Sequence, residues 1–298
     1  MNARIRWEEH LEVGDYLVLL ALEEDAACRD AATAALGDPG LGMHVASVVA
    51  RQDLVVCGWY LVDAVYRRLA EECGVAAART EQLLPDGAPA TAGSVLGTVS
   101  GPADSLLRGE RVAVNMLSRL SGIATLTRMF VQEVEGTGVE ILDTRKTTPC
   151  HRALDRYAVR TGGGVNHRFD LAVMAMIKDN HLAAAGGTYA LPGLMARLRE
   201  SGVPVEVEVD SLGQLEKVLP LRPDRILLDN MTPGLLRRAV SMASGAGCYL
   251  EASGGVTLDT VREIASTGVN GISCGALTHS AAWADISLDW RVDEQTGT

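Results

Sequence analysis

The chain has 298 residues, 47% of them hydrophobic, and a formal net charge of −11. That length suits one large α/β domain or a barrel with a smaller companion, and the acidic balance excludes a general nucleic-acid-binding surface. No apolar run reaches the roughly 18 residues of a membrane span, and the first residues lack a secretory pattern. The expectation is a soluble, cytoplasmic protein. Its six cysteines, Cys28, Cys57, Cys73, Cys150, Cys248 and Cys274, form no C-x-x-C pair, so scattered reduced thiols are expected.

Taken in chain order, residues 45–70 read as a strand and then a helix, and 91–100 as strands with turns. Residues 111–134 carry helical periodicity, with Val112, Met116, Leu117, Leu120, Ile123 and Leu126 on the apolar stripe. A rhythm follows. Six short apolar runs each end in a polar cluster: VEILDTRK (139–146), VMAMIKDNH (173–181), VEVEVDS (205–211), RILLDN (225–230), CYLEASGG (248–255) and GISCGALTH (271–279). Apolar strands alternating with helices imply a parallel sheet buried on both faces. Right-handed crossovers put all the strand C-termini on one rim, where an α/β barrel forms its site.

The polar ends therefore converge. Asp143, Arg145 and Lys146 end one strand, and Lys178, Asp179 and Asn180 the next; Glu208, Asp229, Glu251 with Ser253, and Gly275 follow. Of 27 basic residues only Lys146, Lys178 and Lys217 are lysines. Two of them sit in these clusters, where a compact rotatable charge is not interchangeable with arginine. Lys217, in SLGQLEKVL, reads as a solvated helix face. The loop TGGGVNHR (161–168) adds His167 and Arg168. Such a cationic pocket expects a ligand with several negative charges. SGG (253–255) and CGALTH (274–279) read as backbone phosphate sites. Between the two anion sites Glu208 and Asp229 suit ribose hydroxyls or a hydrated Mg²⁺. Glu206 shares a strand face with Glu208, and spacing leaves open which of them meets the ligand.

DTRKT (143–147), GGGVNHR (162–168), IKDNH (177–181), VEVEVDS, LLDN (227–230) and SGG…GALTHS (253–280), with GERVAVNMLSRLSGIAT (109–125) upstream, resemble quinolinate phosphoribosyltransferases. The similarity is strong over 109–298 and weak over the first 108 residues. It implies an α/β sandwich at 1–116, completed by about 283–298, and an incomplete seven-stranded α/β barrel at 117–282. It implies reaction of quinolinate with phosphoribosyl pyrophosphate and Mg²⁺ to give nicotinate mononucleotide, pyrophosphate and CO₂. It also implies a homodimer or higher oligomer in which Arg111 enters the partner's site. The matched quinolinate contacts are Arg111, Thr144, Arg145, Lys146, His167, Arg168 and Lys178. The phosphoribosyl side has Lys146, Lys178, Glu208, Asp229, Ser253, Gly254, Gly255, Ser273, Cys274, Gly275 and His279. Lys146, Glu208 and Asp229 are the expected catalytic set, and Glu208 with Asp229 the metal side.

The chain departs from the family at Cys150 and His151, where Gly and an apolar residue are usual, and at Val173, often an aspartate. EEDAACRDAATAAL (23–36) lacks a Gly-Asp-x-Thr signature. A local packing variation is the expectation at 150–151, ahead of a metal or nucleophile pair. The competing readings are a paralogue with another carboxylated ring as acceptor, a barrel lyase using Lys178 as a Schiff base, and a non-catalytic sensor.

Overall fold

The computed structural model describes residues 9–36 and 42–290. Contacts divide the chain into two compact units. One comprises 1–126, 148–162 and 281–298; the other comprises 127–147 and 163–280.

In the first unit, helices α1 (His10–Glu24) and α2 (Ala31–Ala35) precede β1 (Met43–Ala50) and β2 (Leu54–Val55). Then come α3 (Trp59–Cys73), β3 (Arg79–Gln82), β4 (Pro89–Ala90), β5 (Val95–Pro102), α4 (Ala103–Glu133, of which residues 103–126 belong to this unit) and α5 (Arg152–Gly162). An antiparallel sheet is ordered Ile286–Trp290, β1, β5, β3. Its inner face and the apolar stripe of α3 share a core that includes Val48, Val62, Leu69, Leu96 and Val99. The expected boundary at 116–117 falls inside α4, which runs unbroken because no Gly or Pro signal ends its periodicity there. Residues 291–298 of the expected completing tail lie outside the described residues.

The second unit is the parallel sheet. Its strands are β6 (Glu140–Leu142), β7 (Ala175–Ile177), β8 (Val205–Val209), β9 (Arg225–Asp229), β10 (Tyr249–Ser253) and β11 (Gly271–Ser273). All six apolar runs form the strands expected of them. The order is β6-β11-β10-β9-β8-β7, every pairing parallel. In place of a full seventh strand there is one parallel bridge, Leu142 to Val165. The barrel is thus six strands and a single-bridge remnant beside β6. Helices α6 (Asp179–Ala184), α7 (Leu191–Glu200), α8 (Leu212–Val218), α9 (Pro233–Met242), α10 (Leu258–Ala265) and α11 (Ala276–His279) connect them. Val205, Val207 and Val209 are buried on the outer face of β8, as period-two alternation requires. Lys217 is exposed on α8.

Two cysteine expectations are corrected or explained here. Cys28 and Cys73 are joined as a disulfide, with Cα atoms 5.0 Å apart, so the thiols are not all free. No sequence spacing signals this pair, because a turn after α1 and the end of α3 bring it together. Cys150 is exposed and sits at φ +65°, a left-handed conformation costing a side-chain-bearing residue about 1 kcal/mol. That is the physical reason a glycine is usual there. His151 begins the turn into α5, its carbonyl accepting from Asp155 N–H at 2.9 Å. No metal-ligand cluster among the described residues includes either. Val173 is exposed beside Asp170, which accepts its N–H at 3.1 Å.

The Cys28–Cys73 link closes a 45-residue separation, for which chain entropy gives about 4 kcal/mol of stabilisation. Thermal melts with and without reductant, and of Cys73→Ser, are expected to show a drop in Tm of several degrees. An unchanged Tm removes the link from the stability of this unit.

Candidate active site

The strand ends of the second unit line a cavity of about 550 Å³. Its wall holds Thr144, Arg145, Lys146, His167, Arg168, Lys178, Glu208, Asp229, Ser253, Gly254, Gly255, Ser273, Cys274, Gly275 and His279. These are all the residues expected from sequence except Arg111. Arg111 lines a different cavity in the first unit, of about 860 Å³, with Arg119, His151 and Trp283.

β6 pairs with β11, so Lys146 lies beside the phosphate-like turn. Thr278 Oγ1 donates to the Lys146 carbonyl at 2.8 Å. A Cβ on Gly275 would meet the Lys146 side chain at 3.1 Å, so only glycine leaves that close an approach. Gly254 has φ +100°, and a Cβ there would come within 2.2 Å of Asn230 Oδ1. Ser273 is buried, and its hydroxyl has no hydrogen-bond partner among the described residues. Cys274 is buried, which raises its thiol pKa; it is a wall residue and not a nucleophile.

The cations divide into two kinds. Lys178 Nζ pairs with Glu208 Oε2 at 2.5 Å. Among the described residues, no carboxylate forms an ion pair with Arg145, Lys146 or Arg168. Arg168 Nη1 donates to the Met174 carbonyl at 2.8 Å. Burial and then the like charge of Arg145 lower the Arg168 pKa. Crowded, uncompensated cations are what a site for a polyanion requires. Asp229 accepts from Asn230 Nδ2 at 2.8 Å and faces the cavity. Glu208 also lines the cavity and Glu206 does not.

Deeper in the barrel lie Asp143, Glu206 and Glu251, strand residues that the sequence reading noted without fixing a role; Glu251 also lines the cavity. Asp143, fully buried, accepts from Asn166 Nδ2 at 2.5 Å and from His167 N–H at 2.7 Å, which ties the NHR loop to β6. Glu206 and Glu251 are also fully buried. His167 Nε2 lies 3.1 Å from Glu206 Oε2 and 3.3 Å from Glu251 Oε2. Met176 and Leu227 supply apolar floor. The signal that marks Glu251 was present: Tyr249, Glu251 and Ser253 alternate along β10 and so share a face.

Burial opposes charge on the His167 ring, and Glu206 and Glu251 outweigh it, raising the ring to about 9. Its Nδ1 accepts the Arg168 N–H at 2.7 Å. Glu206, beside the ring's Nε2, is displaced upward as well. Burial and then Glu251, against the His167 hydrogen bond, hold that carboxyl above the usual range. The cluster titrates as one unit.

Fold and site together define an α/β-barrel enzyme built for polyanionic substrates. Comparison with known proteins gives the family. The chain matches the models for the quinolinate phosphoribosyl transferase N-terminal domain over residues 30–121 and C-terminal domain over 123–289. It is 44% identical to nicotinate-nucleotide pyrophosphorylase (carboxylating) of Mycobacterium leprae, covering 82% of this chain and 85% of that protein. Among solved structures, the nicotinate-nucleotide pyrophosphorylase of Francisella tularensis is 32% identical with TM-score 0.86, covering 97% of this chain and all of that one. That of Ehrlichia chaffeensis is 36% identical with TM-score 0.85, covering 93% and 98%. The chain belongs to the quinolinate phosphoribosyl transferase family.

The buried cluster yields a pH prediction. Its folded pKa lies above the unfolded 6.5 of histidine, so its stabilisation is complete below pH 6.5 and is lost as pH rises through about 9. Tm measured from pH 6 to 9.5 is expected to fall in the wild type and to stay flatter in the Glu206→Gln, His167→Gln double variant.

Proposed function

We infer that the barrel pocket transfers phosphoribosyl from phosphoribosyl pyrophosphate to quinolinate. The products are nicotinate mononucleotide, pyrophosphate and CO₂. The chain is an enzyme, a pentosyltransferase of NAD biosynthesis. The observation that carries this reading is the set of cations without carboxylate partners, Arg145, Lys146 and Arg168, in one cavity with Ser273 and the Gly254–Gly255 turn.

In this reading Thr144, Arg145, Lys146, His167, Arg168 and Lys178 hold the two ring carboxylates. Ser253, Gly254, Gly255, Ser273, Cys274, Gly275 and His279 form the phosphate side, with Lys146 beside it. Lys178, Glu208 and Asp229 complete the phosphoribosyl contacts. Lys146, Glu208 and Asp229 carry the catalytic role. The ring nitrogen bonds to the ribosyl carbon as the carbon–pyrophosphate bond breaks. Glu208 and Asp229 stabilise positive charge developing on the ribosyl group. The ring, now cationic, takes up the electron pair of the C2–carboxylate bond. CO₂ leaves and C2 gains a proton. Holding both substrates in register supplies much of the rate.

Glu208 and Asp229 are hard oxygen donors on adjacent strands, a set suited to Mg²⁺ held through water. Bound there, the ion would neutralise charge on the departing pyrophosphate. Lys178 Nζ is engaged by Glu208 Oε2 at 2.5 Å, which weighs against the Schiff-base reading, whose amine must be free to attack a carbonyl.

The proposal extends to a homodimer and a cytoplasmic location. Support for the dimer is Arg111, exposed and outside the pocket that the other matched residues share. A second copy would carry it to its partner's site.

Purified protein with quinolinate, phosphoribosyl pyrophosphate and Mg²⁺ is expected to release CO₂ and pyrophosphate in equal amounts. Lys146→Ala and Glu208→Ala are expected to lose turnover at least a hundredfold while keeping their fold by circular dichroism. Turnover with another pyridine or azole acid but none with quinolinate would overturn the acceptor and keep the fold. For the shared site, inactive Arg111→Ala and inactive Lys146→Ala proteins are mixed and allowed to exchange. Recovery of about a quarter of wild-type activity supports Arg111 acting across the interface, and no recovery refutes it.

A further inference from the structure

The inner face of the barrel carries charge well below the rim. Arg225, at the start of β9, reaches Glu251 at 3.5 Å and stacks over the Tyr249 ring at 4.3 Å. Tyr249 in turn donates to Glu140 Oε2 at 2.7 Å. Above Arg225, Glu251 and Glu206 flank His167 Nε2. Both carboxylates have no exposed surface, and Glu206 Oε1, Glu206 Oε2 and Glu251 Oε1 lack an aligned hydrogen bond among the described residues. At separations of 3.1 and 3.3 Å the three side chains meet directly, and their donor atoms all lie within 4.8 Å of one another.

Such an arrangement costs stability. Two buried carboxylates with incomplete partners are worse for folding than apolar residues of the same size. What they touch explains their presence. The His167 ring is engaged at both nitrogens, by the carboxylates at ion-pair distance from Nε2 and by the Arg168 N–H hydrogen bond on Nδ1. Asp143 fixes the backbone one residue earlier. The negative pair also lies under the crowded cations of the cavity, and Glu206 acts on Arg168 against the repulsion from Arg145.

We propose that Glu206 and Glu251 are positioning residues for acceptor recognition, clamping His167 by its Nε2 and thereby setting Arg168 where a substrate carboxylate binds. This rests on the reading that the Arg145–Arg168 side of the pocket takes quinolinate. Glu206 lies outside the cavity lining and Glu251 at its floor; both act through His167 and Arg168.

The experiment uses Glu206→Gln and Glu251→Gln, which keep side-chain volume and remove one charge each, with Arg168→Ala as the reference. Quinolinate binding is measured by titration calorimetry, and KM for each substrate by steady-state kinetics. Loss of a charged, buried contact is expected to weaken quinolinate binding by about tenfold or more. KM for phosphoribosyl pyrophosphate should stay within about twofold, a split that general loosening of the barrel would not produce. Should Glu251→Gln fail to fold, Glu206→Gln, which leaves the Arg225–Glu251 pair intact, carries the test. Folded glutamine variants that bind quinolinate as the wild type does, or that lose both substrates equally, overturn the inference. If Arg168→Ala also leaves quinolinate binding unchanged, the assignment of that side of the pocket is itself at fault.

Discussion

Like charges must be held together without their ligand. Arg145, Lys146 and Arg168 share one cavity with no carboxylate paired to them at the rim, and their mutual repulsion opposes folding. Part of the offset comes from below, from Asp143, Glu206 and Glu251, each fully buried. Negative charge under the floor tolerates positive charge in the pocket without neutralising it by direct pairing. The cations then remain available to an incoming anion. Lys178 is handled differently, paired directly with Glu208 at 2.5 Å, so substrate binding on that arc exchanges one ionic partner for another.

This division gives the barrel interior a layered chemistry. Ser253, Ser273, Glu208 and Asp229 form the upper layer, open to the cavity. Glu206, Glu251 and His167 form the middle, with Leu227 and Met176 as apolar filler. Arg225, Tyr249 and Glu140 close the lower end. A polar interior is costly unless its groups meet one another, and the parallel register brings Arg225 beside both Glu206 and Tyr249. The single-bridge remnant at Val165 matters here too. Side-chain acceptors such as Asp143 hold the NHR segment that follows it.

Much of this was legible in the residues. Six apolar runs became six parallel strands because each was short, apolar and bounded by polar or glycine-containing ends, and fifteen expected wall residues share one cavity because parallel strands end on one rim. The middle layer was harder to read. Glu206 and Glu251 look like ordinary strand residues, and a pattern of period two shows a shared face but not the depth at which it lies. The Cys28–Cys73 pair was invisible for a similar reason, since 45 residues of intervening chain carry no spacing signal. Cys150 was noticed as a departure, but its meaning came only from its φ of +65°.

Sequence alone determined the element types, the parallel sheet, the cationic character of the pocket and the family, because these follow from local periodicity and from residue types that recur in order. Tertiary structure decided neighbourhood. It put Lys146 next to Gly275 by pairing the first barrel strand with the last, chose Glu208 over Glu206 for the cavity, and set Arg111 in a separate unit from the pocket. Strand order and depth are long-range properties. They arise from which faces pack together, and no single segment carries them.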